Sequence, residues 1–138
     1  EGISFDNLTT KEEAVEYVTT TGVDLFAPAV GNMHGMLSGA PEPELNIERV
    51  KEIREAVGIP LVLHGASGNT KEEVQAAIRA GVAIVHINTE IRVAFRDAVR
   101  DFLVANPKEV APYKIMQSGV DAVERVVTDK LKMFNFID

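Results

Sequence analysis

The sequence predicts an α/β fold built around a parallel sheet. Short apolar runs rich in branched residues alternate with segments of helical period, which is the pattern of consecutive βα units. Three runs have the short and mostly continuous apolar character of strands covered on both faces, at residues 23–30, 59–63 and 82–85. Three strands are too few to close a barrel, which usually needs about 200 residues or more. We therefore expect either a small open sheet or the last part of a barrel.

Local signals place a helix before each of the three strands. Thr10-x-x-Glu13 and Thr70-x-x-Glu73 match the capping box, in which the Thr hydroxyl and the Glu carboxylate satisfy backbone N–H groups at a helix start. Glycine closes each helix in the usual left-handed position. The predicted helices are residues 11–21, 46–57 and 70–80, and they end at Gly22, Gly58 and Gly81.

Two more helices follow the last strand. One runs from 90 to about 104 and ends before Asn106-Pro107, because proline interrupts a helix. The other is predicted over 118–134. Within the first strand, Pro28 cannot donate to a sheet ladder, so that strand should end or bulge there. No repeat or linker interrupts the chain, and we treat 1–138 as one domain without an internal boundary.

Composition narrows the classes of partner and site. The chain has 14 Lys+Arg and 21 Asp+Glu, a net charge of −7, and no long run of one sign, which argues against nucleic acid and anionic membrane surfaces. No apolar run reaches the roughly 18 residues of a membrane span and no leader is evident, so a cytoplasmic protein is expected. Cysteine is absent, so a metal would have to rest on His and carboxylates. Dinucleotide, Walker and serine-hydrolase motifs are also absent.

All three histidines, His34, His64 and His86, follow a predicted strand. The carboxyl ends of parallel strands form the active face of α/β proteins, and imidazole is a common ligand of catalytic zinc. One such histidine would be an ordinary loop residue, but three at one edge favour a site. Two from adjacent strand ends would meet at one ion, with the third ligand coming from His86, a carboxylate or sequence outside this chain.

The segment His64-Gly-Ala-Ser-Gly-Asn-Thr70 has a second interpretation. A small-residue loop running into a helix presents backbone N–H groups beside the positive helix end, which suits a phosphate. An ordinary capped βα turn is the alternative. Asn88 and Thr89 would add hydrogen bonds to such a ligand or cap the next helix.

Three motifs together resemble one enzyme family. They are Gly31-Asn-Met-His-Gly35, His64-Gly-Ala-Ser-Gly68 and Ile87-Asn-Thr-Glu90. Their order, spacing and strand context resemble the C-terminal part of class II, zinc-dependent ketose-bisphosphate aldolases, which include fructose- and tagatose-bisphosphate aldolases. The family fold is a (β/α)8 TIM barrel, so the resemblance implies that residues 1–138 hold strands six to eight and the terminal helices.

The resemblance also assigns site residues. It implies that His34 and His64 bind Zn²⁺, with a monovalent cation as a second candidate cofactor. Substrate-binding positions are implied at Gly35, Gly65, Ala66, Ser67, Asn88 and Thr89. The family's general acid/base Asp and its remaining zinc His have no counterpart in these residues, so no catalytic residue is expected here and the chain alone should be inactive.

Two positions depart from the family pattern. His86 stands where the family usually has Asn, and would hydrogen-bond substrate, bind metal or mark altered specificity. Ser38 replaces a Lys that many members carry, so cation or lid behaviour should differ there.

The expected activity of the longer enzyme is cleavage of fructose 1,6-bisphosphate to dihydroxyacetone phosphate and glyceraldehyde 3-phosphate. Tagatose bisphosphate is an alternative substrate, and a non-catalytic half-barrel that binds zinc or phosphate is the alternative of another class. The expected partner is a small sugar phosphate. Self-association into a homo-oligomer is also expected, because an unclosed barrel exposes apolar edges.

Overall fold

A computed structural model describes residues 8–32 and 44–137. They form two compact units, one within Glu1–Ile87 and the other within Asn88–Asp138. Among the described residues, no helix is long and apolar enough to cross a membrane. The elements in chain order are α1 Lys11–Thr21, α2 Ile47–Val57, β1 Leu61–Leu63, α3 Lys71–Ala80, β2 Val82–Val85, α4 Thr89–Ala105 and α5 Pro112–Phe134.

The sheet of the first unit confirms the α/β class. β1 and β2 pair in parallel, with Leu61 opposite Val82 and Leu63 opposite Val85. They are joined through α3, as a βαβ unit requires. All three residues of β1 are buried, whereas the middle of β2 is exposed. β1 is therefore the interior strand of the described sheet.

The prediction of a full first strand is wrong. Phe26 alone forms a parallel bridge to β1, where its carbonyl accepts a hydrogen bond of 2.8 Å from the Val62 N–H. Two residues later Pro28 has no N–H to donate. The next residue, Ala29, bonds to Thr9 through both its N–H and its carbonyl instead of continuing the ladder. Proline and this competing partner reduce the predicted strand to one bridge.

The predicted helix signals in the first unit are confirmed. The Thr10 hydroxyl accepts from the Glu13 N–H, and the Glu13 carboxylate accepts from the Thr10 N–H at 2.8 Å. Thr70 and Glu73 repeat this box at the start of α3. The glycines that end α1, α2 and α3 have positive φ angles of 66°, 70° and 120°.

The core of the first unit lies between α2, α3 and β1. Ile53 of α2, Leu61 of β1 and Val74 of α3 are each at most 1% exposed. Burial of such side chains contributes roughly 1.5–3 kcal/mol each. This core fixes β1, and with it the loop that leaves its carboxyl end.

The second unit is an α4–α5 pair. Phe95 of α4 packs over Gly119 of α5, where a β-carbon would overlap its ring. Helix α4 ends at Ala105, as predicted. The predicted start of the last helix is wrong, because α5 begins six residues earlier, at Pro112. Proline suits the first turn of a helix, where its missing N–H would lack a helical partner in any case.

Candidate functional site

The strand register brings His64 and His86 together. Leu63 lies opposite Val85, and the His86 N–H donates to the Leu63 carbonyl at 2.9 Å, so the parallel pairing extends past both strands. The two histidines therefore leave adjacent strand ends at matching positions. Their Nδ1 atoms are 3.3 Å apart and their rings are nearly perpendicular, at 88°. His64 is half-buried, whereas His86 is exposed.

The 3.3 Å between the two Nδ1 atoms fits a hydrogen bond between the rings, and it also fits two ligands of one zinc ion. Zinc binds imidazole nitrogen at about 2.0–2.1 Å in tetrahedral geometry, which places two nitrogens of one ion about 3.3–3.4 Å apart. The part of the chain that the structure describes contains no group of three or more His, Cys, Asp or Glu able to hold a metal. His34, Gly35 and Ser38 lie outside the described residues, and their roles stay predictions.

Asn32 anchors the backbone beside His64, a role that the sequence reasoning missed. Its side-chain amide donates to the His64 carbonyl at 2.9 Å and its oxygen accepts from the Val30 N–H at 2.9 Å. Gly31 makes this turn possible, with a φ of 105° and no room for a β-carbon beside the Glu44 carbonyl. The sequence signal for this role was an Asn directly after Gly at a predicted strand end, because short amide side chains commonly form hydrogen bonds with nearby backbone groups.

The loop after His64 folds inward. Gly65 and Gly68 have positive φ angles of 65° and 110°, which L side chains rarely adopt. Between them, Ala66 is fully buried and Ser67 is 3% exposed. The two central residues of this loop are therefore packed inside the protein, and the glycines on either side provide its turns.

The N-terminus of α3 already has a negative partner. The Glu73 carboxylate accepts from the Thr70 N–H at 2.8 Å and from the Leu45 N–H at 3.2 Å. Burial raises the pKa of Glu73, but hydrogen bonds from Thr70, Leu45 and Asn69 outweigh it, so that the pKa lies below its usual value. A phosphate at the helix end would meet this carboxylate.

Asn88 and Thr89 belong to the second unit. Asn88 occupies the N-cap position of α4, is exposed, and makes no capping hydrogen bond through its side chain. Thr89 is the first residue of the helix, so the alternative in which Thr89 caps it is wrong. Substrate contacts of both residues stay predictions.

Known proteins match most or all of this chain. The family model described as fructose-bisphosphate aldolase class-II matches residues 1–138. The fructose-bisphosphate aldolase of Geobacillus stearothermophilus is 42% identical over 123 residues, which are 89% of this chain and 42% of that relative. The chain thus spans less than half the length of this relative.

Solved structures agree with the fold. The YdjI aldolase of Escherichia coli K12 is 36% identical, with a TM-score of 0.76 over 91% of this chain and 44% of that one. The fructose-bisphosphate aldolase of Campylobacter jejuni has a TM-score of 0.78 over 99% of this chain and 49% of that one. At 22% identity the latter supports the fold alone.

Proposed function

Since the chain belongs to the class II fructose-bisphosphate aldolase family, we propose that it is the C-terminal part of a longer aldolase. In that enzyme it supplies strands six to eight and the terminal helices of a (β/α)8 barrel. The share of the relatives that it covers, 42% and 44%, supports this placement. The exposed middle of β2 also supports it, because strands of such a barrel are covered by the packed interior on one face and by helices on the other.

The proposed reaction is the reversible cleavage of fructose 1,6-bisphosphate to dihydroxyacetone phosphate and glyceraldehyde 3-phosphate. The name of the Geobacillus relative favours fructose over tagatose bisphosphate. The observation that carries the proposal is the placement of the His64 imidazole directly before the inward-folded loop 65–68, at the carboxyl end of β1. A metal ligand and a phosphate cradle are thereby adjacent in the chain and at the same strand end.

Each residue has a defined task in this proposal. His64 holds the metal together with His34 and a histidine from an earlier strand. Backbone N–H groups of Gly65, Ala66 and Ser67 hold the phosphate, with Gly35, Asn88 and Thr89 as further substrate contacts. Zinc, when bound, supplies a Lewis acid for the ketone oxygen and for the negative charge left by carbon–carbon cleavage. The loop, in which Ala66 and Ser67 are buried, fixes the substrate in one orientation relative to His64.

The proposal is tested with the full protein that contains this chain. Zinc content and cleavage of fructose and tagatose 1,6-bisphosphates are measured before and after chelation. His64→Ala should lower kcat/KM by more than about 100-fold, because loss of an outer-sphere partner of a metal ligand alone costs about 10–100-fold. Glu72→Gln, an exposed change on the next helix, is the matched control and should leave turnover unchanged.

Two results would contradict the proposal. A protein that binds zinc or phosphate without turnover of either bisphosphate would be a binding half-barrel. Full turnover in His64→Ala would remove the assigned metal site. The homo-oligomer and the cytoplasmic location stay predictions.

A further inference from the structure

We propose that His86 is a ligand of the same metal ion as His64. The inference rests on the proposed function, which supplies the metal, and it assigns a coordination role to a position where the family usually has Asn.

The separation of the two imidazoles is the first argument. Their Nδ1 atoms lie 3.3 Å apart. This equals the edge of a tetrahedral zinc shell, about 3.3–3.4 Å, and exceeds the roughly 2.9–3.0 Å at which hydrogen bonds from N–H donors are commonest. At this distance one Nδ1–H can donate to the other Nδ1, and a metal ion that replaces this proton can be bound by both nitrogens.

The backbone builds this separation into the fold. The His86 N–H bonds to the Leu63 carbonyl at 2.9 Å, and the His64 carbonyl accepts from the Asn32 amide at 2.9 Å. Both histidine backbones are therefore fixed by hydrogen bonds to other segments. Side chains held by ordered backbone need little reorganisation to bind an ion, which favours affinity.

The ring geometry agrees with ligation. The ring centroids are 4.4 Å apart and the planes meet at 88°, so the nitrogens approach without stacking of the rings. His86 is exposed and His64 half-buried, so the pair opens toward solvent, from which an ion and a substrate would enter. A catalytic zinc holds about three protein ligands and an open position. An additional imidazole should therefore tighten metal binding in the substrate-free protein and compete with substrate for coordination.

The test is metal coordination in the full protein that contains this chain. X-ray absorption counts the imidazole nitrogens on bound zinc, and competition with a chelator gives the zinc affinity. His86→Asn, which installs the usual family residue, should remove one imidazole from the count and weaken zinc binding by more than about 10-fold. Glu72→Gln is the control and should change neither.

An unchanged imidazole count in His86→Asn would overturn the inference, even with weaker binding. A residue that only orients His64 through a hydrogen bond weakens the site without altering the count. His86→Gln is the second variant if His86→Asn does not fold. If neither variant folds, the test is a zinc titration of the wild-type protein followed by histidine ¹⁵N NMR spectra. Ligation by His86 requires that zinc shift its Nδ1 signal, and an unmoved signal would refute it.

The outcome is separable from that of the proposed function. If the wild-type protein binds zinc through His86 but cleaves no ketose bisphosphate, the proposed reaction is wrong and the ligand assignment stands. If the wild-type protein cleaves the substrate but His86→Asn leaves the number of imidazole nitrogens on zinc unchanged, the proposed reaction stands and the ligand assignment is wrong.

Discussion

The two units of the molecule differ in how their helices are stabilised. In the first unit, Ile53, Leu61 and Val74 are at most 1% exposed. In the second unit, α4 has no buried residue, and in α5 only Gly119 and Ala122 are buried. The first unit therefore has its own apolar core, whereas α4 and α5 pack along a line of contact that fully buries few side chains.

That line of contact combines close packing with one shielded ion pair. Phe95 packs over Gly119, and Lys130 contacts the Glu90 carboxylate at 2.7 Å with both side chains at most 21% exposed. Large apolar side chains remain exposed along α5, namely Tyr113, Met116, Val120, Val127 and Leu131. Exposed apolar surface of this kind is typical of faces that another surface covers. The predicted self-association is best sought here.

A matched pair of leucines tests this difference most strongly. Leu61 is fully buried in β1, whereas Leu131 in α5 is 55% exposed. We expect Leu61→Ala to lower the free energy of unfolding by about 2–5 kcal/mol, through lost burial and a cavity. Leu131→Ala should cost less than about 1 kcal/mol. Urea denaturation of both variants measures the two changes in the free energy of unfolding. Equal changes would show that Leu131 in α5 is covered as completely as Leu61 in β1.

The contact between α4 and α5 can be broken by a side chain at Gly119. We expect Gly119→Leu to destabilise the protein by about 1–3 kcal/mol, because the new side chain overlaps the Phe95 ring. Leucine has a higher helix propensity than glycine, so a loss of stability in this variant must come from packing. In a Phe95→Ala background the same change should cost nothing, and a cost that persists there would place the conflict elsewhere.

The smallest expected effect concerns the carboxylate at the start of α3. Folding lowers the pKa of Glu73 from its ordinary value of 4.5, so its contribution is complete above that pH and is lost as pH falls through the lower, folded-state pKa. Glu73→Gln keeps a capping-box side chain but removes the charge, and should therefore cost about 0.3–1 kcal/mol at neutral pH and progressively less in acid. Unfolding followed against pH measures the difference, with Glu72→Gln as control. A difference independent of pH would contradict the assigned cause.

Local signals in the sequence predicted the helices of the first unit, because their causes are local. A Thr hydroxyl and a Glu three residues apart satisfy the same N–H groups wherever the fold places them, as at Thr10 and Thr70. Branched apolar runs likewise predicted β1 and β2. Pro112 carried an equally local signal, and the predicted start at 118 overlooked it.

Contacts between distant segments were decided by the tertiary structure. The sequence showed a mostly apolar run at 23–30, but the bond of Ala29 to Thr9 ends that strand at a single bridge. The sequence also placed three histidines at strand ends, without a distance between any two. The 3.3 Å between His64 and His86 follows from the register of β1 and β2, since pairing fixes which residues leave the sheet together. Residue type therefore determined which groups are available for chemistry, and strand pairing decided which of them meet.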